Sequence, residues 1–288
     1  MSQLFEQMTV VGVGLIGGSM ARKAREEGLV EKFVGFGRTR KNLESAVSLG
    51  VIDRFESDLM KAVDGSDLVV IATPVEKSVE IISYLLPRLG PDTILTDVGS
   101  VKGKVVDVFR QITNTEAEFI GGHPIAGTES SGVEASFSSL FHNHITILTP
   151  IERNSKMAIE RLKMFWIALG AKVEFLDAEK HDRILSDISH LPHVVAYALV
   201  NSVLGGGGIS YAAGGFKDST RIASSNPEMW SEICVQNRES ILDSINDFRS
   251  HLNSIYELIE SVDVGSLQKL FENAKNGRDS WLNQKGLE

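Results

Sequence analysis

Residues 8–19 read MTVVGVGLIGGS. An apolar run, MTVVGV (8–13), leads into Gly12-x-Gly14-x-x-Gly17, and a helical stretch, SMARKAREEG (19–28), follows. Alone, G-x-G-x-x-G says little. Between a strand and a helix it is the fingerprint of a dinucleotide site. Gly12 permits the tight turn, Gly14 lets backbone approach a pyrophosphate, and Gly17 lets helix and strand pack closely. The helix N-terminus, with Leu15 and Ile16 in its first turn, then faces the phosphates. The competing reading is a glycine turn with a purely structural duty.

Outward from this stretch, β-rich runs recur: KFVGF (32–36), DLVVIA (67–72), TILTDV (93–98), ITILTP (145–150) and KVEFL (172–176). Helical stretches such as VEKSVEIISYLLPRL (75–89) separate them. The runs are continuously apolar, as expected of parallel strands buried on both faces, and the alternation predicts a doubly wound α/β Rossmann-type domain over residues 1–176. No strand-like run follows Leu176, so residues 177–288 are expected to form an all-helical domain. Its long stretch 228–260 carries an apolar stripe, Ile233, Ile241, Ile245, Phe248, Leu252, Ile255 and Ile259, wide enough to pack against a second copy. The chain is expected to carry no further fused module.

The second strand bears on which dinucleotide is bound. An acid at its end would accept the ribose 2′-hydroxyl of NAD. Gly37 stands there instead, followed by Arg38, Thr39 and Arg40. Removing the acid and adding cations favours NADP, although both arginines also suit a solvated loop. Thr73 and Pro74 follow the strand DLVVIA and are expected to line the crevice, where open parallel sheets bind ligands. Pro74 otherwise simply starts the next helix.

Composition narrows the function classes. The 288 residues are 42% hydrophobic and 23% charged, with a net charge of −9. A nucleic-acid binder would show a basic face, and none is evident. No window approaches about 18 uninterrupted apolar residues, so no membrane span is expected. A lone cysteine, Cys234, excludes an internal disulfide and fits a cytoplasmic protein.

Four clusters remain: DVGSVKG (97–103), GGHPIAGTE (121–129), SHLPH (189–193) and GGFKDSTRIASSNPEMW (214–230). GGHPIAGTE has no helix or strand period and reads as a turn that presents His123. A histidine in a glycine turn is more often a cap or a core residue; beside a cofactor crevice it becomes a candidate base, neutral near pH 7. His190 and His193 invite a metal reading, but no cysteine or carboxylate set completes one, and no metal is expected. Lys102 reads as a solvated helix residue that can approach a phosphate or substrate.

With GVGLIGGS, ATP and ILTP, these clusters occur in an order that resembles the prephenate (cyclohexadienyl) dehydrogenases of tyrosine biosynthesis, over residues 8–275. The resemblance implies a dinucleotide-binding domain followed by a helical dimerisation domain. It also implies oxidative decarboxylation of prephenate to 4-hydroxyphenylpyruvate with hydride transfer to NAD or NADP. His123 matches the family's catalytic histidine, and Ser100 the hydroxyl that bridges the reacting ring hydroxyl and the nicotinamide. Arg221 matches the arginine that grips a substrate carboxylate, and His193 a second histidine of the substrate site. Glu129 and Trp230 match residues that shape the pocket, Trp230 reaching in from a partner subunit. Lys217, near Arg221, adds a cation that draws an anionic substrate against the overall negative charge. Arogenate, with an amino group where prephenate has a keto group, is the alternative substrate. A dinucleotide-sensing protein without turnover is the rival from another class; it would need no matched base, hydroxyl and arginine.

Overall fold

A computed structural model describes residues 3–128 and 130–285. Two compact units are present, Met1–Arg238 and Glu239–Glu288. The first is built on an eight-stranded sheet in the order β3-β2-β1-β4-β5-β6-β7-β8. Its strands are β1 (Phe5–Val11), β2 (Val30–Phe36), β3 (Arg54–Phe55), β4 (Leu68–Ile71), β5 (Ile94–Asp97), β6 (Glu118–Pro124), β7 (Ile145–Thr149) and β8 (Lys172–Phe175). Helices α1 (Leu15–Glu26), α2 (Arg40–Ser48), α3 (Leu59–Val63), α4 (Val75–Leu85), α5 (Gly103–Gln111) and α6 (Lys156–Ala168) connect them.

Apolar runs become two-sided strands because successive side chains point to opposite faces. Met8 and Val10 of β1, with Leu68 and Val70 of β4, enter one buried cluster with Phe33, Phe165 and Trp166. Val11, Val69 and Ile71 enter the other, with Ile82, Leu85, Phe109 and Phe119. Both faces of the central strands are therefore covered, and their carboxyl ends are left to carry the site.

The sheet departs from the sequence reading in three ways. β6 pairs with β7 antiparallel, so β7 and β8, parallel to each other, run against the other strands. β8 is mostly exposed rather than buried on both faces, because it is the edge strand. The segment read as a turn at 121–124 is the end of β6, in register with β7 through Gly121↔Thr149, Gly122↔Leu148 and His123↔Ile147.

Beyond β8 the described chain is helical: α7 (Ala178–Leu185), a π-helical turn at Ser186–His190, α8 (Leu191–Leu204), α9 (Gly214–Thr220) and α10 (Pro227–Gln236). These lie in the first compact unit; α11 (Arg238–Glu260) and α12 (Val264–Lys285) account for nearly all of the second. The stretch read as continuous over 228–260 is divided at Asn237, between α10 and α11.

Candidate active site

The three fingerprint glycines each meet a different constraint. Gly12 has φ +100°, and a Cβ there would lie 2.4 Å from the Ala72 carbonyl oxygen. At Gly17 a Cβ would lie 2.6 Å from both the Gly12 carbonyl oxygen and the Val10 side chain. At Gly14 a Cβ would meet nothing within 4 Å. Two glycines are thus needed for packing, and the third leaves open space at the start of α1. Gly14 is the N-cap of α1 and supplies no side-chain acceptor, so the first N–H groups of the helix are available to an anion. Leu15 and Ile16 occupy that first turn, partly buried. These residues fit the pyrophosphate of a dinucleotide.

Arg38, Thr39 and Arg40 are exposed beyond the end of β2. Arg40 pairs with Glu44 at 2.8 Å and lies 5.8 Å over the Phe55 ring. A Cβ at Gly37 would touch only Leu43, at 3.6 Å, so packing does not require glycine there. Thr73 Oγ1 is 3.0 Å from Ser78 Oγ, and Pro74 is the N-cap of α4 rather than its first residue. Glu232 of α10 accepts a hydrogen bond from the Glu76 N–H at 2.7 Å, tying α10 to the start of α4.

His123 stands at the carboxyl end of β6, partly exposed. A buried polar network holds it. Its Nδ1 is 2.9 Å from His181 Nε2, and His181 Nδ1 is 2.8 Å from Asp182 Oδ1. Asp182 also accepts from the backbone N–H groups of Lys102 (2.7 Å) and Gly103 (2.8 Å), so its carboxylate sits on the positive end of α5. Lys102 is fully buried, not solvated: its Nζ pairs with Asp97 and donates to the Gly122 carbonyl at 2.8 Å. Buried charge persists only when paired and hydrogen-bonded, and Asp97 provides both. Burial pulls the Lys102 pKa below the usual lysine value, against the attraction of Asp97.

The glycines before His123 serve this packing. A Cβ at Gly121 would lie 2.4 Å from Thr149 Oγ1, and at Gly122 it would lie 2.8 Å from the Asp97 carbonyl oxygen. They let β6 close onto β5 and β7, instead of forming a turn. Desolvation, then the nearby His181, Lys102 and His190, hold His123 well below the usual histidine pKa. The histidine is therefore neutral at neutral pH, as a general base requires.

Ser100 is partly buried in the segment between β5 and α5. His193, in the first turn of α8, places its Nδ1 2.9 Å from the Ser189 carbonyl oxygen and stacks on Trp230 with ring centroids 3.5 Å apart. Desolvation lowers its pKa, opposed by the hydrogen bond to Ser189 and reinforced by the charge of Arg221. Trp230 is buried within its own chain, with Val75, Val101 and Ile233. It lies inside because α10 packs against α4 in the same compact unit. Its indole N–H has no protein partner among the described residues. Lys217 is exposed on α9. Glu129 lies outside the described residues. His190 is buried; its Nδ1 is 3.1 Å from the Asn237 side chain.

Sequence reading missed His181 and Asp182. A signal existed: Ala178, His181, Asp182 and Leu185 share the buried face of α7 at helical spacing, and a His–Asp pair on such a face needs partners.

Two family models match the chain: "Prephenate dehydrogenase, nucleotide-binding domain" over residues 20–175 and "Prephenate dehydrogenase, dimerization domain" over residues 177–273. A prephenate dehydrogenase of Bacillus subtilis is 36% identical over 99% of this chain and 79% of its own length. A cyclohexadienyl dehydrogenase of Zymomonas mobilis is 32% identical over 96% of each chain. The crystal structure of Aquifex aeolicus prephenate dehydrogenase with hydroxyphenyl propionate and NAD+ superimposes with a TM-score of 0.90. It is 37% identical over 97% of this chain and 99% of that one.

Proposed function

The chain belongs to the prephenate dehydrogenase family of oxidoreductases, and from that premise we propose that it converts prephenate to 4-hydroxyphenylpyruvate in the cytoplasm. The observation that carries this reading is His123, held neutral by its burial and neighbours, at the carboxyl end of β6 in a sheet whose fingerprint glycines fit a dinucleotide. Residues 1–176 bind the cofactor, and residues 177–288 complete the substrate site and form a homodimer.

When bound, the nicotinamide supplies a hydride acceptor. Gly12, Gly14, Leu15, Ile16 and Gly17 hold the pyrophosphate, with Thr73 and Pro74 lining the crevice. The chain's own work is then threefold. His123 Nε2 takes the proton of the ring hydroxyl as the C–H bond loses its hydride, and Ser100 holds that hydroxyl in place. Arg221 binds a substrate carboxylate through its planar fork, with His193, Lys217, Glu129 and Trp230 shaping the pocket. The ring loses two electrons with the hydride and regains two from the C–C bond to departing carbon dioxide, so it ends aromatic.

The cofactor is proposed to be NADP, because Gly37 removes the acid that would repel a 2′-phosphate and Arg38 and Arg40 supply charge. The relative named cyclohexadienyl dehydrogenase supports a second reading, in which arogenate is oxidised as well. Incubating the purified protein with prephenate or arogenate, each with NAD and with NADP, tests all of this through absorbance of the reduced nicotinamide. Turnover of prephenate supports the proposal. No reduction in any of the four mixtures overturns it.

A further inference from the structure

The network behind His123 extends beyond a single partner. Asp182 Oδ1 faces His181 Nδ1 at 2.8 Å, and a carboxylate can only accept, so His181 carries its proton on Nδ1. The His181 ring is fully buried, and desolvation lowers its pKa, opposed by Asp182 and reinforced by Lys102. Neutral His181 therefore has an accepting Nε2. That atom is 2.9 Å from His123 Nδ1, which must be the donor. The remaining nitrogen of His123, Nε2, is then bare.

We propose that His181 and Asp182 are positioning residues for the reaction: the series Asp182–His181–His123 fixes the base as the Nδ1-protonated tautomer, with Nε2 presented as the acceptor. The proposal rests on His123 as the base of the reaction above.

His181 and Asp182 share α7, and His123 stands on β6. Asp182 is pinned by the N–H groups of Lys102 and Gly103 at the start of α5, and its carbonyl accepts from the Asn237 side chain at 2.7 Å. The charged and titratable groups facing the series include Lys102 and Asp97 from the β5–α5 segment, His190 from the π-helical turn and Glu179 of α7. Lys102 and His190 oppose a second proton on His123. Were His181 doubly protonated, His123 Nδ1 would have to accept and its Nε2 would carry hydrogen, the wrong state for a base.

Nitrogen-15 NMR of the full-length protein reads the tautomer directly, without reference to turnover. Wild-type His123 is expected to show a protonated Nδ1 and a bare Nε2 at neutral pH. His181→Gln retains one acceptor and one donor and should preserve that signature and most of kcat. His181→Leu removes both and should leave His123 in mixed tautomers, with kcat down about tenfold or more and KM changed less than about twofold. Near-ultraviolet circular dichroism establishes that the variants are folded. A wild-type His123 protonated at Nε2 overturns the proposal by itself, even if the leucine variant fails to fold. So does a folded leucine variant with unchanged tautomer and kcat. If the spectrum is as expected but prephenate is not oxidised, the functional reading fails and the relay stands.

Discussion

At the residue scale the site depends on proton placement. His123 must be neutral to act, and its pKa lies well below the usual value of 6.5. The acid limb of kcat/KM is therefore expected below pH 6.5, with activity lost as pH falls through the histidine's lowered pKa; a limb at or above 6.5 would contradict the assignment. His123→Asn should reduce kcat by about 100-fold or more while leaving dinucleotide affinity nearly unchanged, as equilibrium titration would show. Gly37→Asp tests cofactor choice. Only Leu43 neighbours a Cβ there, at 3.6 Å, so the variant should fold. Its KM for NADP should rise and that for NAD fall, and an unchanged ratio would mean that position 37 does not set the choice of cofactor. The demands on Gly12 and Gly17 were legible from spacing, because a strand running straight into a helix needs a tight turn and a close approach there. His181 and Asp182 were not, because their partners lie 58 and 80 residues away.

At the element scale, two glycines of one motif should respond differently. Gly17→Ala drives a methyl into β1, where neighbours stand 2.6 Å away, and should cost about 1–3 kcal/mol in denaturant unfolding. Gly14→Ala points into open space, so stability should hold while dinucleotide affinity falls. Equal losses in both variants would show that neither position is specific to ligand. Strands β1, β2, β4 and β5 were readable because a continuous apolar run has few other uses. β6 was not among the strand-like runs: its end is Gly-Gly-His-Pro, which reads as a turn, and strand geometry is imposed there by β7 and by the close approach of Asp97. The cluster SHLPH was visible in the sequence, yet the π-helical turn that leads into it and the packing of His190 and His193 against Trp230 were not.

At the scale of the whole molecule, buried titratable groups govern stability against pH, and exposed apolar side chains govern assembly. His190 is buried with its pKa pushed down to about 4, against an ordinary 6.5. Between these values the unfolded chain binds a proton that the folded one refuses, so stability falls as pH drops from 6.5 towards 4. The gap corresponds to about 3 kcal/mol, and the lowered pKa values of His123 and His181 act in the same direction. Unfolding midpoints measured across that pH range should decline, and flat midpoints would argue against neutral burial. The second compact unit leaves Leu252, Ile259, Phe271 and Trp281 more than half exposed in one chain. Covering them is the expected role of a homodimer. Sedimentation should give twice the chain mass, and Leu252→Asp combined with Ile259→Asp should shift it towards the monomer.

The sequence by itself determined the dinucleotide-binding half, the helical character of the remainder and the family, because these rest on local periodicity and on short motifs whose spacing is read along the chain. Tertiary structure alone decided the reversed strands β7 and β8, the placement of Trp230 inside its own chain, the burial of Lys102 against Asp97, and the histidine behind His123. Those features depend on which distant groups share a desolvated space, where an unpartnered charge or N–H is costly and each polar group must find its match.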